Sequence, residues 1–597
     1  MKRTALLCLI VLTQLALLSI ATAQTTVEFS LSNFPAVDDG VYGIRGNVDP
    51  LDWDHSLKLT DLDTVKKTMV QFDESVSSIE FKFVIESQGN VLWEGIENRE
   101  LTLNRRQIES SHRWDIEQPM AIETLPKLSP EELKMDYALV EEMILKVHPG
   151  TYRYNSESEI AQALKELSIA FADSLTHGEA YLAISRLLAK IQCDHTYASF
   201  FNQNRKLKSV IHWQKNKLPF AFDWIDDKMI VTYSAVEEIE GGNEVRSIQG
   251  LPAAQIAQKL LPFVSADGST DHSRWEKLSV KGYDFRWSAF DVFFPLVFPT
   301  MPELMELELY DFKTETTSIV KISTTTLANR WERLVNRYPD FPVTRDKLLD
   351  FHIEGEVGVL KLGTFGIMGW KKLEMDYKVF FKEVFQTIQN QGIENLIIDM
   401  RGNPGGGDPM AKELFTYLDL DSIIIDDRVG KTRYTSFPPT LKKYCKTWGN
   451  PWFFELEPKY TDEDGYYCFP DGAMVREKNV KNSAQFKGDI YWLVDGHNAS
   501  LAYYTAKSVR KNNLGLLIGQ ETGGNLGGIN GGQILFLQLP SSEIEIDFPV
   551  MGDFTVGNQP NKGVSPHFEV RVEASDIAHS IDRPLEFAFS LIRDKTD

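Results

Sequence analysis

Ser500 lies in Ala499-Ser500-Leu501-Ala502, just after an apolar run, Ile490-Tyr491-Trp492-Leu493-Val494, and a turn, Asp495-Gly496-His497-Asn498. A serine at such a strand–turn–helix junction is exposed on the loop, and the positive end of the helix eases negative charge on its oxygen. The same placement also serves a plain helix cap, in which the hydroxyl only accepts a nearby backbone N–H. A second apolar run, Leu396-Ile397-Ile398, leads into Asp399-Met400-Arg401-Gly402-Asn403-Pro404-Gly405-Gly406-Gly407-Asp408-Pro409. Glycines let successive backbone N–H groups face outwards, so this loop can hold an oxyanion or a phosphate. No Lys-Ser/Thr pair follows it, as a phosphate-binding P-loop requires, and the remaining alternative is an ordinary tight strand–helix turn. Two more turns complete the set: Ile518-Gly519-Gln520-Glu521-Thr522-Gly523-Gly524-Asn525-Leu526-Gly527-Gly528 and Gly563-Val564-Ser565-Pro566. Neither is specific alone.

In order and spacing the four turns resemble those of the tail-specific, C-terminal-processing serine peptidases, most closely the tricorn-core branch. That pattern is a strand ending in D-x-R-x-N-x-G-G, an S-A-x-x nucleophile turn, G-x-x-T-x-G and G-V-x-P-D. The resemblance covers about Ser129 to the end. It implies a polypeptide substrate, with Ser500 as nucleophile and Gly405 or Gly406 with the Leu501 N–H as oxyanion hole. No cofactor and no metal are expected. The lysine-dyad branch places its base where Asn525 stands here, and an amide cannot take that proton. The tricorn-like branch takes a histidine from a helical lead-in ending in D-G-H-T; His195, in Ile191-Gln192-Cys193-Asp194-His195-Thr196, matches it. Histidine suits the task because its ordinary pKa lies near neutrality.

Two departures stand out. Cys193 replaces the signature aspartate, and the histidine-orienting acid near G-V-x-P-D is missing: Pro560 and Asn561 precede Lys562-Gly563, and His567 replaces the final Asp. Asp194, Glu521 and Asp553 are candidate replacements, with no choice among them. These departures keep a second reading open, a catalytically impaired protein that binds a peptide or an apolar ligand in the same cleft. A glucan hydrolase has little to support it, since no compelling carboxylate pair appears.

The elements that must position these residues imply a multidomain α+β chain. Residues 1–23 read as a signal peptide, with Lys2 and Arg3 before an apolar stretch and Ala21-Thr22-Ala23 before Gln24. Export to the periplasm or beyond is therefore expected, and no later segment reads as a membrane span. Residues 24–104 alternate with period two, as a β-sandwich does, and 105–130 read as a linker. Residues 131–210 carry helical spacing and form the lead-in. Residues 211–345 return to strands, and Gly241 to Ala253 resembles half of a PDZ module, either peptide-presenting or a structural spacer. Residues 346–597 alternate β and α; the resemblance implies a ClpP/crotonase-like catalytic core there. The aromatic-rich insert from Asp426 to Lys487 fits either a wall of the cleft or a surface subdomain.

In the N-terminal module, Asn47 to Asp54, Glu80 to Phe83 and Trp93 to Arg99 resemble a starch-binding-type carbohydrate-binding module. The resemblance implies a glycan surface of Trp53, Lys82, Trp93 and Asn98, with rings stacking on sugars and polar groups bonding hydroxyls. The alternative is that the tryptophans anchor the sandwich. Composition bounds the rest. With 597 residues, 43% hydrophobic and 25% charged, the chain is ordinary globular material of several units. A net charge of -22 disfavours nucleic acid and anionic membrane as partners. Four cysteines exclude a disulfide scaffold, although Cys445 and Cys468 are candidates for one bridge.

Overall fold

The computed structural model describes residues 24–596, except 33, 35–39, 63–64, 88–89, 95–97, 114–124, 282–287, 339–340, 342–347, 367–375, 420–421, 425–427, 448–450, 470–475 and 479–483. The segment read as a signal peptide lies outside the described residues. The chain divides into two compact units, one up to Gln118 and one from Pro119.

The first unit is a β-sandwich. Strand Gln24–Ser32 buries Val27, Phe29 and Leu31 by alternation. It pairs antiparallel with Val65–Asp73 and parallel with Gln107–Arg113. The facing sheet is built on Ser78–Ser87, which buries Phe81 and Phe83. Phe29 and Phe81 meet edge-on across the two sheets, centroids 4.9 Å apart. The strand Gln107–Arg113 lies inside the stretch read as linker. Its polar sequence hides a strand whose His112 packs against Phe81 and Phe83, with Ser111 receiving a hydrogen bond from Ser30.

The second unit opens with three helices, Pro130–Glu142, Glu157–Ala170 and His177–Lys190. Each starts with a reciprocal capping box: Ser129 with Glu132, Ser156 with Glu159, and Thr176 with Glu179. An antiparallel sheet of strands Phe220–Ile225, Lys228–Ser234, Asn243–Ile248, Leu304–Asp311 and Thr316–Ser323 follows. The continuous strand pattern expected there is interrupted by helices Ala253–Leu260, Asp271–Leu278 and Ala289–Val297. The reason is visible in the first of them. Ala253, Ile256, Ala257 and Leu260 are all buried at helical spacing.

The last part is a six-stranded sheet in the order Leu349–Glu354, Val357–Leu362, Asn395–Asp399, Asp489–Val494, Leu516–Gly519, Phe568–Glu569. Its first pair is antiparallel and the rest are parallel. Both faces are covered: one by Phe381, Phe385, Met410, Ala502 and Tyr503, the other by Ala588 and Ile592 against Ile397, Tyr491 and Leu493. Because Asn395–Asp399 and Asp489–Val494 are parallel neighbours with Asp399 opposite Leu493, their C-terminal turns emerge side by side. Those two turns carry the glycines and Ser500. The insert contributes Arg428–Thr432, Cys445–Lys446, Tyr460–Thr461 and Tyr467–Phe469 to an antiparallel sheet with Gly532–Gln538 and Glu545–Thr555. Its Tyr434, Phe437 and Phe453 are core residues. Cys445 and Cys468 are free thiols.

Candidate active site

Ser500 opens the helix Ser500–Lys511 with φ 49°, a left-handed conformation that a serine adopts only when its surroundings impose it. The imposing groups are identifiable. Asn498 is fully buried; its side-chain amide donates to the carbonyls of Met400 (2.6 Å) and Asn403 (3.2 Å), and its carbonyl accepts the Asp495 N–H (2.9 Å). Asp495 in turn accepts the N–H of Gly402 at 2.9 Å and of His497 at 3.0 Å. Burial, helped by Glu276, pushes the Asp495 carboxyl up to about 7. Arg401 clamps both Asp399 and Asp582 with bonds of 2.7 to 2.9 Å. The aspartate and arginine of the first motif therefore fix the turn and take no direct part in chemistry.

The glycine loop lies against the serine. A Cβ on Gly405, which has φ 108°, would stand 2.8 Å from Ser500 Cβ and 2.9 Å from the Leu501 nitrogen. Only glycine permits that approach. The Gly405 N–H is already taken by Asn403 Oδ1 at 2.8 Å. The N–H groups of Gly406 and Leu501 make no hydrogen bond among the described residues. Asn525, at the lysine-dyad position, is buried and bonded on both sides: it donates to Asn561 Oδ1 (2.7 Å) and accepts from Gly527 (3.0 Å).

His195 and Ser500 line one cavity of about 560 Å³, without a direct hydrogen bond between them. The imidazole packs on the backbone of Gly531, where a Cβ would come 3.0 Å from Cε1. Burial lowers its pKa, and the charge of Asp267 opposes that fall. Asp267 is the carboxylate that the sequence reading missed. It is 1% exposed, and its Oδ1 accepts the N–H of Asp194, the residue before His195, at 3.0 Å. Its Oδ2 and His195 Nδ1 are both buried without a hydrogen-bond partner. Burial pushes the Asp267 carboxyl up to about 6, against the pull of His195 and Arg153. The signal available in sequence was slight: an Asp-Gly pair in a polar turn, Ser265 to Thr270, between apolar Val264 and the next helix.

The three carboxylates singled out from sequence are engaged elsewhere. Asp194 also lines the cavity, but its side chain pairs with Lys277. Glu521 accepts the Gly563 N–H at 2.9 Å, tying the third turn to the fourth. Asp553 holds Arg428 at 2.7 Å and the Tyr504 hydroxyl at 2.9 Å. No described residue of the 426–487 insert lines the cavity. Among the described residues no cluster of potential ligands could hold a metal ion.

In the first unit, Trp53 and Trp93 stand 6.2 Å apart with their planes 40° from one another. Arg45, another residue that the sequence reading passed over, lies 5.2 Å over the Trp93 ring. Lys82 alternates with the buried Phe81 and Phe83 and so shares the outer face of its strand with Glu80, which accepts from Asn98 at 3.3 Å. Lys82 and Trp93 stand on paired strands of one sheet, while Trp53 and Asn98 lie in the loops beside it.

Residues 356–570 match the family model described as Peptidase family S41. The structure of mature CPAF complexed with lactacystin aligns with a TM-score of 0.53 at 14% identity, over 77% of this chain and 98% of that one. A second structure of mature CPAF gives 0.53 at 15% identity, over 77% and 97%. At such identities the likeness is one of fold. No curated protein sequence matches the chain. This family match over residues 356–570 indicates a serine-type peptidase, with polypeptides as its substrate class. No helix among the described residues is long and apolar enough to cross a membrane.

Proposed function

We propose that the protein is an exported endopeptidase of the C-terminal-processing type, with Ser500 as nucleophile, His195 as general base and Asp267 as the acid that orients and charges the histidine. The observation that supports this most is the convergence on one cavity of Ser500, held in a left-handed turn, and His195, backed by a buried carboxylate. In acylation, Ser500 Oγ bonds to the scissile carbonyl carbon while its proton passes to His195. The carbonyl oxygen becomes an oxyanion held by the Gly406 and Leu501 N–H groups, the two without other partners. The C–N bond then breaks, and His195 returns the proton to the leaving amine. Water repeats the sequence on the ester and frees Ser500. Asp267, ionised above about pH 6, stabilises the imidazolium formed midway.

The N-terminal unit is proposed to bring the enzyme to a starch-like glycan through Trp53, Trp93, Lys82 and Asn98. Retention on a glucan that falls in the Trp53→Ala and Trp93→Ala variants supports that targeting; no retention of the wild-type chain removes it. For the chemistry, the test is labelling by an alkyl fluorophosphonate. Wild-type protein labels and Ser500→Ala does not. Equal labelling of the two overturns the serine assignment and leaves the cleft as a binding site.

A further inference from the structure

The geometry points to a specificity pocket: the cavity beside Ser500 receives the side chain of the residue whose carbonyl becomes the acyl-enzyme, and it takes a large aromatic, tyrosine ahead of phenylalanine. This rests on Ser500 acting as the nucleophile. The cavity, at about 560 Å³, has room for a whole large side chain and its flanking backbone. Part of its wall is aromatic. Phe263 and Phe293 stack at 5.5 Å and 29°, Tyr181 lies 6.2 Å from Phe293, and Phe201 and Val264 extend the surface. Such faces pack a further ring well and give an alanine or a charged group little.

The charged lining groups do not argue for a charged substrate, because they are spent on one another. Lys277 pairs with Asp194 and donates to the Ser265 carbonyl at 2.7 Å. Lys281 pairs with Glu276 at 2.5 Å and Asp223 at 3.4 Å. His497, which burial pushes down to about 4, is uncharged near neutrality. Among the uncharged lining side chains that take no part in the proposed chemistry, Ser185 keeps a buried hydroxyl unspent. Ser185 is 4% exposed on the helix His177–Lys190, and its Oγ has no hydrogen-bond partner. A helical serine commonly bonds back to the carbonyl four residues earlier, and this one does not. The Tyr181 hydroxyl donates to the Ala198 carbonyl at 2.6 Å and makes no hydrogen bond with Ser185. A phenolic hydroxyl entering between the aromatic faces would find the Ser185 oxygen as its partner, and phenylalanine would leave it unpaired.

The test uses the full chain and peptidyl diphenyl phosphonates bearing Tyr, Phe, Leu, Ala or Asp at the reacting position, with inactivation rates normalised to those of a small alkyl fluorophosphonate. Tyr should exceed Ala by about 100-fold and Phe by about 3- to 10-fold. Ser185→Ala should bring the Tyr-to-Phe ratio to about 1. Phe263→Ala, at a half-buried position, should lower both aromatic rates relative to Leu. Fluorophosphonate labelling with no preference among the five phosphonates, or a Tyr-to-Phe ratio untouched by Ser185→Ala, overturns the pocket and leaves the nucleophile standing. No fluorophosphonate labelling overturns the serine reading and the pocket with it.

Discussion

The Ser500 side and the His195 side of the cavity they share are built in opposite ways. On the Ser500 side, nearly every polar group is satisfied: Asn403 donates to the Leu362 carbonyl at 2.8 Å, Asn498 makes three bonds, and Arg401 bridges two carboxylates. On the histidine side, buried polar atoms are left without partners: His195 Nδ1, Asp267 Oδ2, Arg153 Nε and Nη1, and the Tyr154 hydroxyl. A saturated network is stiff, because every displacement breaks a bond. Unpartnered buried groups cost stability and gain from any arrangement that pairs them. In the proposed mechanism this divides the labour, with a fixed template presenting Ser500 and a base that completes its contacts when substrate binds.

The largest test of this contrast removes the template's purpose. Ser500→Ala should lower kcat about 10⁴- to 10⁶-fold in a peptide cleavage assay, with the fold intact by circular dichroism. Next comes the histidine side. Asp267→Asn should lower kcat about 10²- to 10⁴-fold with a smaller change in KM. It should also move the acid limb of the pH profile. His195 must be neutral to accept a proton, and burial holds its pKa below 6.5, so kcat/KM rises with pH through a value below 6.5. Asp267 raises that pKa, so without its charge the limb shifts to still lower pH. An unmoved limb would show that the two groups do not sense one another. The limb in the wild type belongs to the pair, since Asp267 itself titrates at about 6.

A thermodynamic test addresses the template directly. Asn498→Ala loses three buried hydrogen bonds and should lower the unfolding free energy by about 3 kcal/mol, read from denaturant melts. A change under about 1 kcal/mol would mean that the turn is held by packing. The smallest effect is expected at Glu521→Gln, which keeps an acceptor for the Gly563 N–H. Its turnover should stay within about 2-fold of wild type; a 100-fold loss would restore Glu521 as the orienting acid.

How much of this was legible in the sequence follows the same division. The Ser500 turn and the glycine loop are local patterns, each a strand, a turn and a helix start within some fifteen residues, and periodicity and glycine placement suffice to read them. Asp267 comes from a loop in the segment read as PDZ-like, and only the tertiary packing of helix Asp271–Leu278 brings its turn to the lead-in. Nothing in the turn's composition distinguishes it from a surface loop. The strand Gln107–Arg113 was hidden for a related reason. Its partner, Gln24–Ser32, is distant in sequence and pairs in parallel, so no hairpin signal marks it. The helix Ala253–Leu260 was legible by its spacing and lost in the expectation of strands around it.

The left-handed φ of Ser500 has a consequence for the protein's history. Holding a side chain there costs about 1–2 kcal/mol, which glycine would not incur. Ser500→Gly should therefore melt higher than the wild type while cleaving nothing. For this fold, abandoning catalysis is energetically downhill, and a lineage released from the need to cut peptides would gain stability from the very substitution that makes the loss permanent.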